Sequence, residues 1–261
     1  MTMTESQKFI HVSKYAKWLD DEKRREITWE ETANRYIDFM RPRNTKVPDK
    51  IWKLVEKHML SMGVMASMRA VQMAGPALAR NNVMGYNCAY LPFESFKDVV
   101  DLFYILMCGT GVGFSTEKQY IDKMPVVAAW DGSGAGVYVI PDDTEGWADS
   151  LMAGLQAWFA GKDIEFDYSL IRPRGARLKT KGGRASGPGP LRKLHDFCRE
   201  LIQKAQGRQL TDLEWLDIGN MVGEIVVVGG VRRASEINFS DLFSTAIRYA
   251  KDWSKGAYPV H

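Results

Sequence analysis

The stretch GYNCAY, residues 85–90, sets a cysteine, Cys88, between an asparagine and a small residue, just after a polar loop. Cysteine usually sits in a core as a small apolar group. A thiol in a glycine- and asparagine-rich turn can instead reach solvent or a substrate. From these residues alone, a reactive and an inert Cys88 both stand. The chain has three cysteines. Cys108 falls in the apolar last turn of a helical pattern and Cys198 on an apolar stripe, so both read as core. Spaced this widely, the three make neither a disulfide framework nor a zinc site. None of the four histidines pairs at metal-ligand spacing, and His58 reads as a helix-surface residue.

Glycine and arginine supply the other candidates. CGTGVGFS (108–115) and DGSGAG (131–136) alternate glycine, but neither fits the P-loop or the dinucleotide fingerprint. CGTGVGFS follows a helical pattern rather than preceding one, and its glycines let backbone amides approach a ligand closely. RPRGARLKTKGGRASGPG (172–189) carries Arg172, Arg174, Arg177, Lys179, Lys181 and Arg184, with Arg192 just beyond. A solvated basic loop and a polyphosphate clamp are both open readings, the latter because guanidinium groups meet phosphates in bidentate fashion. GGVRRAS (229–235) repeats the theme, with Gly229 and Gly230 before Arg232 and Arg233.

These segments need elements to hold them. TWEETANRYIDFMRPR predicts a helix with Trp29, Ala33, Tyr36, Ile37 and Met40 on one face, opened by a Thr28/Glu31 capping box and stopped by Pro42. The next helix sets Ile51, Leu54, Val55, His58 and Met59 on a stripe, so the first 80 residues read as helical. Residues 65–90 read as loop and short strand. Ser95 and Asp98 cap a helix bearing Val99, Leu102, Phe103, Leu106 and Met107, which Gly109 ends. A strand over 137–140 and a helix over 144–160 follow. Pro190 opens a helix carrying Leu191, Leu194, Phe197, Cys198, Leu201 and Ile202. TDLE opens another, which breaks at GGVRRASEINFS, a loop into a short strand. Helices alternating with short strands point to an α/β fold.

Composition excludes several classes. With 261 residues, 45% hydrophobic and 26% charged, the chain is of ordinary globular make-up and fits one large domain, or one with a small appendage. No apolar run approaches the ~18 residues of a membrane span, and the N-terminus lacks an apolar signal core, so a cytoplasmic location is expected. A net charge of +3 suits nucleotide ligands without pointing to DNA or RNA.

In this order, NCAY, GTGVGFS, DYSLIRPRGARLKTKGGRASGPGPL and EIVVVGGVRRASEI resemble the catalytic chain of ribonucleotide reductases, in particular the adenosylcobalamin-dependent class II enzymes. IPDDTEGWADS before IRPRG resembles the monomeric ribonucleoside-triphosphate reductases. The likeness runs from about Ser67 to the end. It implies a helical N-terminal region over 1–85, then the first half of a ten-stranded α/β barrel over 86–261, with an insertion at about 116–170. The implied chemistry reduces the ribose 2′-hydroxyl. A thiyl radical generated with adenosylcobalamin abstracts the 3′-hydrogen, and a cysteine pair supplies the reducing equivalents as it becomes a disulfide. Cys88 matches the first cysteine of that pair, and Asn87 a substrate-lining residue. Ser67 resembles a contact to substrate phosphate, although Ala66 stands where most relatives have proline. Gly111, Val112 and Gly113 match a loop packing along the nucleoside. Lys179, Lys181, Gly182, Gly183 and Arg184 correspond to a specificity loop at a deoxynucleotide effector. Gly229, Gly230, Arg232 and Arg233 correspond to a second loop linking effector to substrate.

The resemblance has a gap. The thiyl cysteine, its glutamate, the second reducing cysteine and the shuttle cysteines lie further along in relatives, and no later cysteine of this chain matches them. The chain is therefore expected to be an N-terminal portion that needs a C-terminal half, through which a thioredoxin-type reductant would act. The 87 residues before Cys88 leave little room for an ATP-binding regulatory domain. The roughly 55 residues between Ser115 and Ile171 exceed what class I chains place there. In monomeric class II enzymes an insertion here stands in for a dimer partner, and this one is short for that job. A class I large chain and a non-catalytic nucleotide-binding module remain the alternatives.

Overall fold

The structure, a computed structural model, describes residues 3–178, 184–226 and 234–252. Its contacts divide the chain into two compact units, the first reaching Asn87 and the second beginning at Cys88.

The first unit is mostly helical. It contains α1 (Glu5–Ile10), a minimal antiparallel pair β1 (Trp18–Leu19) and β2 (Arg24–Arg25), α2 (Trp29–Met40), α3 (Asp49–Leu60), α4 (Met68–Met73) and α5 (Pro76–Arg80). The Thr28/Glu31 capping box forms as the sequence predicts. Trp29, Ala33 and Ile37 pack against Trp52, Met59 and Val71, and the Trp29 indole N–H donates to the Met59 carbonyl at 2.6 Å. On α3 the expected stripe is rotated. Trp52 and Met59 are buried, while Ile51 is 40% and Leu54 50% exposed, because the large indole claims the inner face. Residues 65–90, expected as loop and strand, form two short helices and a 3₁₀ turn before any strand begins.

One polar cluster explains how such short helices persist. The Arg35 guanidinium uses all five donors: Nε and Nη2 on the Glu26 carboxylate, Nη2 on the Tyr15 carbonyl, and Nη1 on the carbonyls of Val71 and Ala74. It thereby satisfies carbonyls at the end of α4 that a six-residue helix leaves open. Burial raises the Glu26 carboxyl, but hydrogen bonds from Arg35 and Thr32 outweigh it and hold it below the usual range.

The second unit is α/β. It runs β3 (Cys88–Pro92), α6 (Phe96–Met107), β4 (Gly111–Ser115), α7 (Lys118–Ile121), β5 (Gly134–Val139), α8 (Thr144–Phe159), β6 (Asp163–Asp167), α9 (Gly189–Lys204), α10 (Asp212–Val226), β7 (Glu236–Phe239) and α11 (Thr245–Tyr249). Three strands form a parallel sheet in the order β3-β4-β7, and β5 and β6 form a separate parallel pair. The α/β class is as expected, and three described strands leave a barrel unclosed. Gly109, with φ 86°, closes α6 in the left-handed region that glycine adopts freely. Helices α6, α8, α9 and α10 pack on one another around Phe103, Leu151, Trp158, Leu194 and Trp215. Phe93 stacks on Phe114 at 5.0 Å and Phe159 on Trp215 at 5.9 Å.

Candidate active site

The sheet β3-β4-β7 has two unlike faces. Strand alternation sends Leu91, Val112 and Phe114 inward, all buried. Cys88, Gly111 and Gly113 lie on the other face. Cys88 opens β3 and pairs in register with Gly111, Ala89 with Val112, and Tyr90 with Gly113. Gly111, Val112 and Gly113 are therefore a strand, not the loop expected for them. GVGFS sets Val112 and Phe114 on one face and Gly111, Gly113 and Ser115 on the other, and all but Gly111 are buried.

Cys88 is exposed, whereas Cys108 and Cys198 are buried. Burial pushes the Cys198 thiol up, which makes a thiolate there unfavourable. The fold thus separates one accessible thiol from two core ones, as their sequence settings suggested.

The remaining site candidates are distributed. Asn87 is exposed immediately before Cys88. Ser67 stands in the first unit, exposed at the N-cap of α4, with no side-chain capping bond. Arg184 is exposed and its guanidinium donates to the Gly175 carbonyl at 3.0 Å. Backbone pairing joins Gly175 with Ala185, and Ala176 with Ala185, and an antiparallel bridge joins Arg177 with Arg184. These bonds close the stem of the basic segment. Lys179, Lys181, Gly182, Gly183, Gly229, Gly230, Arg232 and Arg233 lie outside the described residues. Arg172 pairs with Asp142 at 2.6 Å, and Arg192 stacks over the Tyr168 ring at 4.5 Å, so these two cations already have protein partners.

Sequence reasoning missed a buried polar tie beside this segment. The Ser150 hydroxyl donates to the Trp147 carbonyl and lies 3.1 Å from His195 Nε2, while Tyr168 Oη lies 2.8 Å from His195 Nδ1. With Ser150 already donating, Nε2–H donates to Ser150 and Nδ1 accepts from Tyr168. Burial holds the His195 pKa down to about 3, so the imidazole is neutral. The signal was a polar residue at Leu194 + 1 on an otherwise apolar stripe. Glu236 was missed too: it lies behind the sheet against Gly223, and burial raises its carboxyl to about 8. Among the described residues no His, Cys, Asp and Glu group could hold a metal ion, and no helix is long and apolar enough to cross a membrane.

Comparison with known proteins agrees with this architecture. Residues 113–200 match the family model for the insertion domain of B12-dependent ribonucleotide reductase. The adenosylcobalamin-dependent ribonucleoside-triphosphate reductase of Euglena gracilis is 38% identical over 161 residues, 59% of this chain and 22% of that protein. Those of Levilactobacillus brevis and Lacticaseibacillus paracasei are 31% and 28% identical over 85% and 86% of this chain, and each is covered to 39%. The chain thus spans about two fifths or less of the length of these curated relatives. A crystal structure of a B12-dependent class II ribonucleotide reductase superposes with a TM-score of 0.81 at 23% identity, over 95% of this chain and 43% of that one. By family model and by curated relatives the chain is similar to part of the B12-dependent ribonucleotide reductases, and it shares the fold of a class II enzyme.

Proposed function

We propose that this chain carries half of the active site of an adenosylcobalamin-dependent ribonucleotide reductase, with Cys88 as one of the two thiols that reduce the ribonucleotide. The observation that carries the reading is the placement of Cys88: the exposed thiol of the three opens the first strand of the parallel sheet, opposite a glycine. In the reduction, the C2′–OH bond breaks, the oxygen leaves as water, and C2′ gains hydrogen. Two thiols lose two protons and two electrons and join as a disulfide. Cys88 supplies one of each, and a second thiol must come from outside this chain. The relatives' greater length supports a C-terminal segment as its source, with a thioredoxin-type protein restoring the pair. In this reading residues 1–85 are the helical N-terminal region, 86–261 the first half of the barrel, and 116–170 the insertion.

The cofactor enters on the relatives' names. Three of the four histidines lie among the described residues. His11 is buried and hydrogen-bonded to Thr32, His195 is committed at both ring nitrogens, and His58 is half-buried on α3. The groove of about 550 Å³ along α9 is lined by Arg192, Lys193, Asp196 and Glu200, with Phe197 and Met221. Lys193 there is already paired with Glu224. A nucleotide effector at the stem closed by Arg177 and Arg184 is part of the same reading.

The test uses the full-length reductase with adenosylcobalamin, a dithiol and a ribonucleotide. Wild type is expected to form deoxynucleotide over many turnovers. Cys88→Ser keeps the size of the side chain, cannot form the disulfide, and is expected to stop repeated turnover. Native turnover in that variant overturns the assignment.

A further inference from the structure

Alternation puts Cys88 and Tyr90 on one face of β3, opposite Gly111 and Gly113. Across β4, Gly113 pairs with Ile237 and Ser115 with Phe239 of β7. The middle strand is thus bare at two successive positions on this face. A thiol and a phenol flank it on one side, and apolar groups on the other. The rings of Tyr90 and Phe239 meet edge to face above the bare strand, with centroids 5.6 Å apart. A Cβ at Gly113 would lie 3.1 Å from Phe239 and 3.4 Å from Tyr90, so the missing side chain is what lets the rings close over the backbone.

Tyr90 also has polar neighbours at its tip. Its hydroxyl lies near Ser115 and Tyr120, and Ser115 donates to Glu117 at 2.7 Å. Despite these neighbours, Tyr90 remains 54% exposed. A core ring would be covered, and an unbraced surface ring would not be held against a neighbouring ring and a bare backbone. Two residues along a strand separate it from Cys88 by roughly 7 Å, about the span of a nucleoside sugar and the start of its base. Ring stacking accepts any base, because every base has a π-face.

We propose that Tyr90, held over Gly113, contacts the nucleoside of the substrate and walls the bare backbone at Gly111 so that the sugar rests against the Cys88 thiol. The proposal rests on the reading of Cys88 as a reducing thiol, and the experiment separates the two. In the full-length reductase, Tyr90→Leu is expected to raise KM for the ribonucleotide about tenfold while kcat changes less, and Tyr90→Phe to keep KM within about twofold. An unchanged KM in Tyr90→Leu, with Cys88→Ser unable to turn over repeatedly, overturns the proposal alone. Native turnover in Cys88→Ser overturns the reading beneath it. Should Tyr90→Leu not fold, Gly113→Ala serves instead, because its methyl displaces the Tyr90 and Phe239 rings from their place over the strand. Ribonucleotide should protect Cys88 from iodoacetamide in wild type, and Gly113→Ala should need about tenfold more nucleotide for equal protection. Protection at the wild-type concentration overturns the proposal.

Discussion

Glycine works in different ways on the two sides of the sheet β3-β4-β7. Behind it, Gly219 and Gly223 sit on α10 where the helix meets the strands. A Cβ on Gly219 would come 2.5 Å from Phe114 Cζ, and one on Gly223 would strike the Glu236 carboxylate. There the missing side chain is filled by a neighbour's. In front, Gly111 leaves backbone partly open beside an exposed thiol, while Gly113 is buried beneath Tyr90, Ile237 and Phe239. Behind the sheet both glycines make close packing possible; in front Gly113 does so too, under two rings, and Gly111 makes access possible. A glycine's role is therefore set by what faces it rather than by its local sequence.

The comparison can be broken first at the packed face. Phe114 is fully buried and stacked on Phe93, so Phe114→Ala should cost about 3–5 kcal/mol in equilibrium denaturation. A loss below about 1 kcal/mol would mean that this face is not the core.

The next effect is a pH dependence with two limbs. Glu236 titrates near 8 in the fold against 4.5 in an exposed chain. Between those values the folded state holds a proton that the unfolded state has lost, so stability falls as pH rises from about 4.5 to about 8. Glu236→Gln should flatten that limb, gaining on the order of 1–3 kcal/mol at pH 8. His195 acts on the acid side. Its folded value of about 3 lies below the usual 6.5, so the unfolded state binds the extra proton and stability falls as pH drops from 6.5 toward 3. Thermal melts across pH 4–9 read both limbs, and a Glu236→Gln curve that tracks wild type would sink the first assignment.

Gly219→Ala should cost about 1–2 kcal/mol, because overpacking against Phe114 exceeds the roughly 1 kcal/mol that alanine gains in a helix. Gly113→Ala should change stability least, by about 0.5 kcal/mol or less. Phe239 is 45% exposed and can yield. Equal losses in the two variants, measured by urea titration, would erase the distinction between the two faces.

The parts of the fold that could be read in the sequence are those fixed by local chemistry. The capping boxes at Thr28/Glu31 and Thr211/Glu214 both form, and the Leu191–Ile202 stripe is buried as its spacing predicts. Helix α4 was not legible, because its hold comes from Arg35, more than thirty residues away in sequence. The rotated face of α3 was hidden because spacing ranks Ile51 and Trp52 alike, while packing favours the larger ring. In the site, Cys88 stood out by its polar setting and by the plainness of the other two cysteines. The strand character of Gly111–Ser115 was masked by glycine, which reads as loop until the buried Val112 and Phe114 are counted. Tyr90 gave no local signal, since its significance arises from β7, well over a hundred residues later in the chain.

The unequal burial of the three cysteines also makes the molecule chemically addressable. Cys108 and Cys198 are 1% and 0% exposed, and Cys88 lies open. A maleimide dye or nitroxide added to the native protein should therefore attach at one position, with no need to remove the other thiols. A spin probe there would sit at the head of β3. Its mobility, and its distance to a second label placed on any companion segment, would report assembly of the two halves directly. That selectivity, lost under denaturant as three labels per chain replace one, would count unfolding molecule by molecule in a mass spectrum.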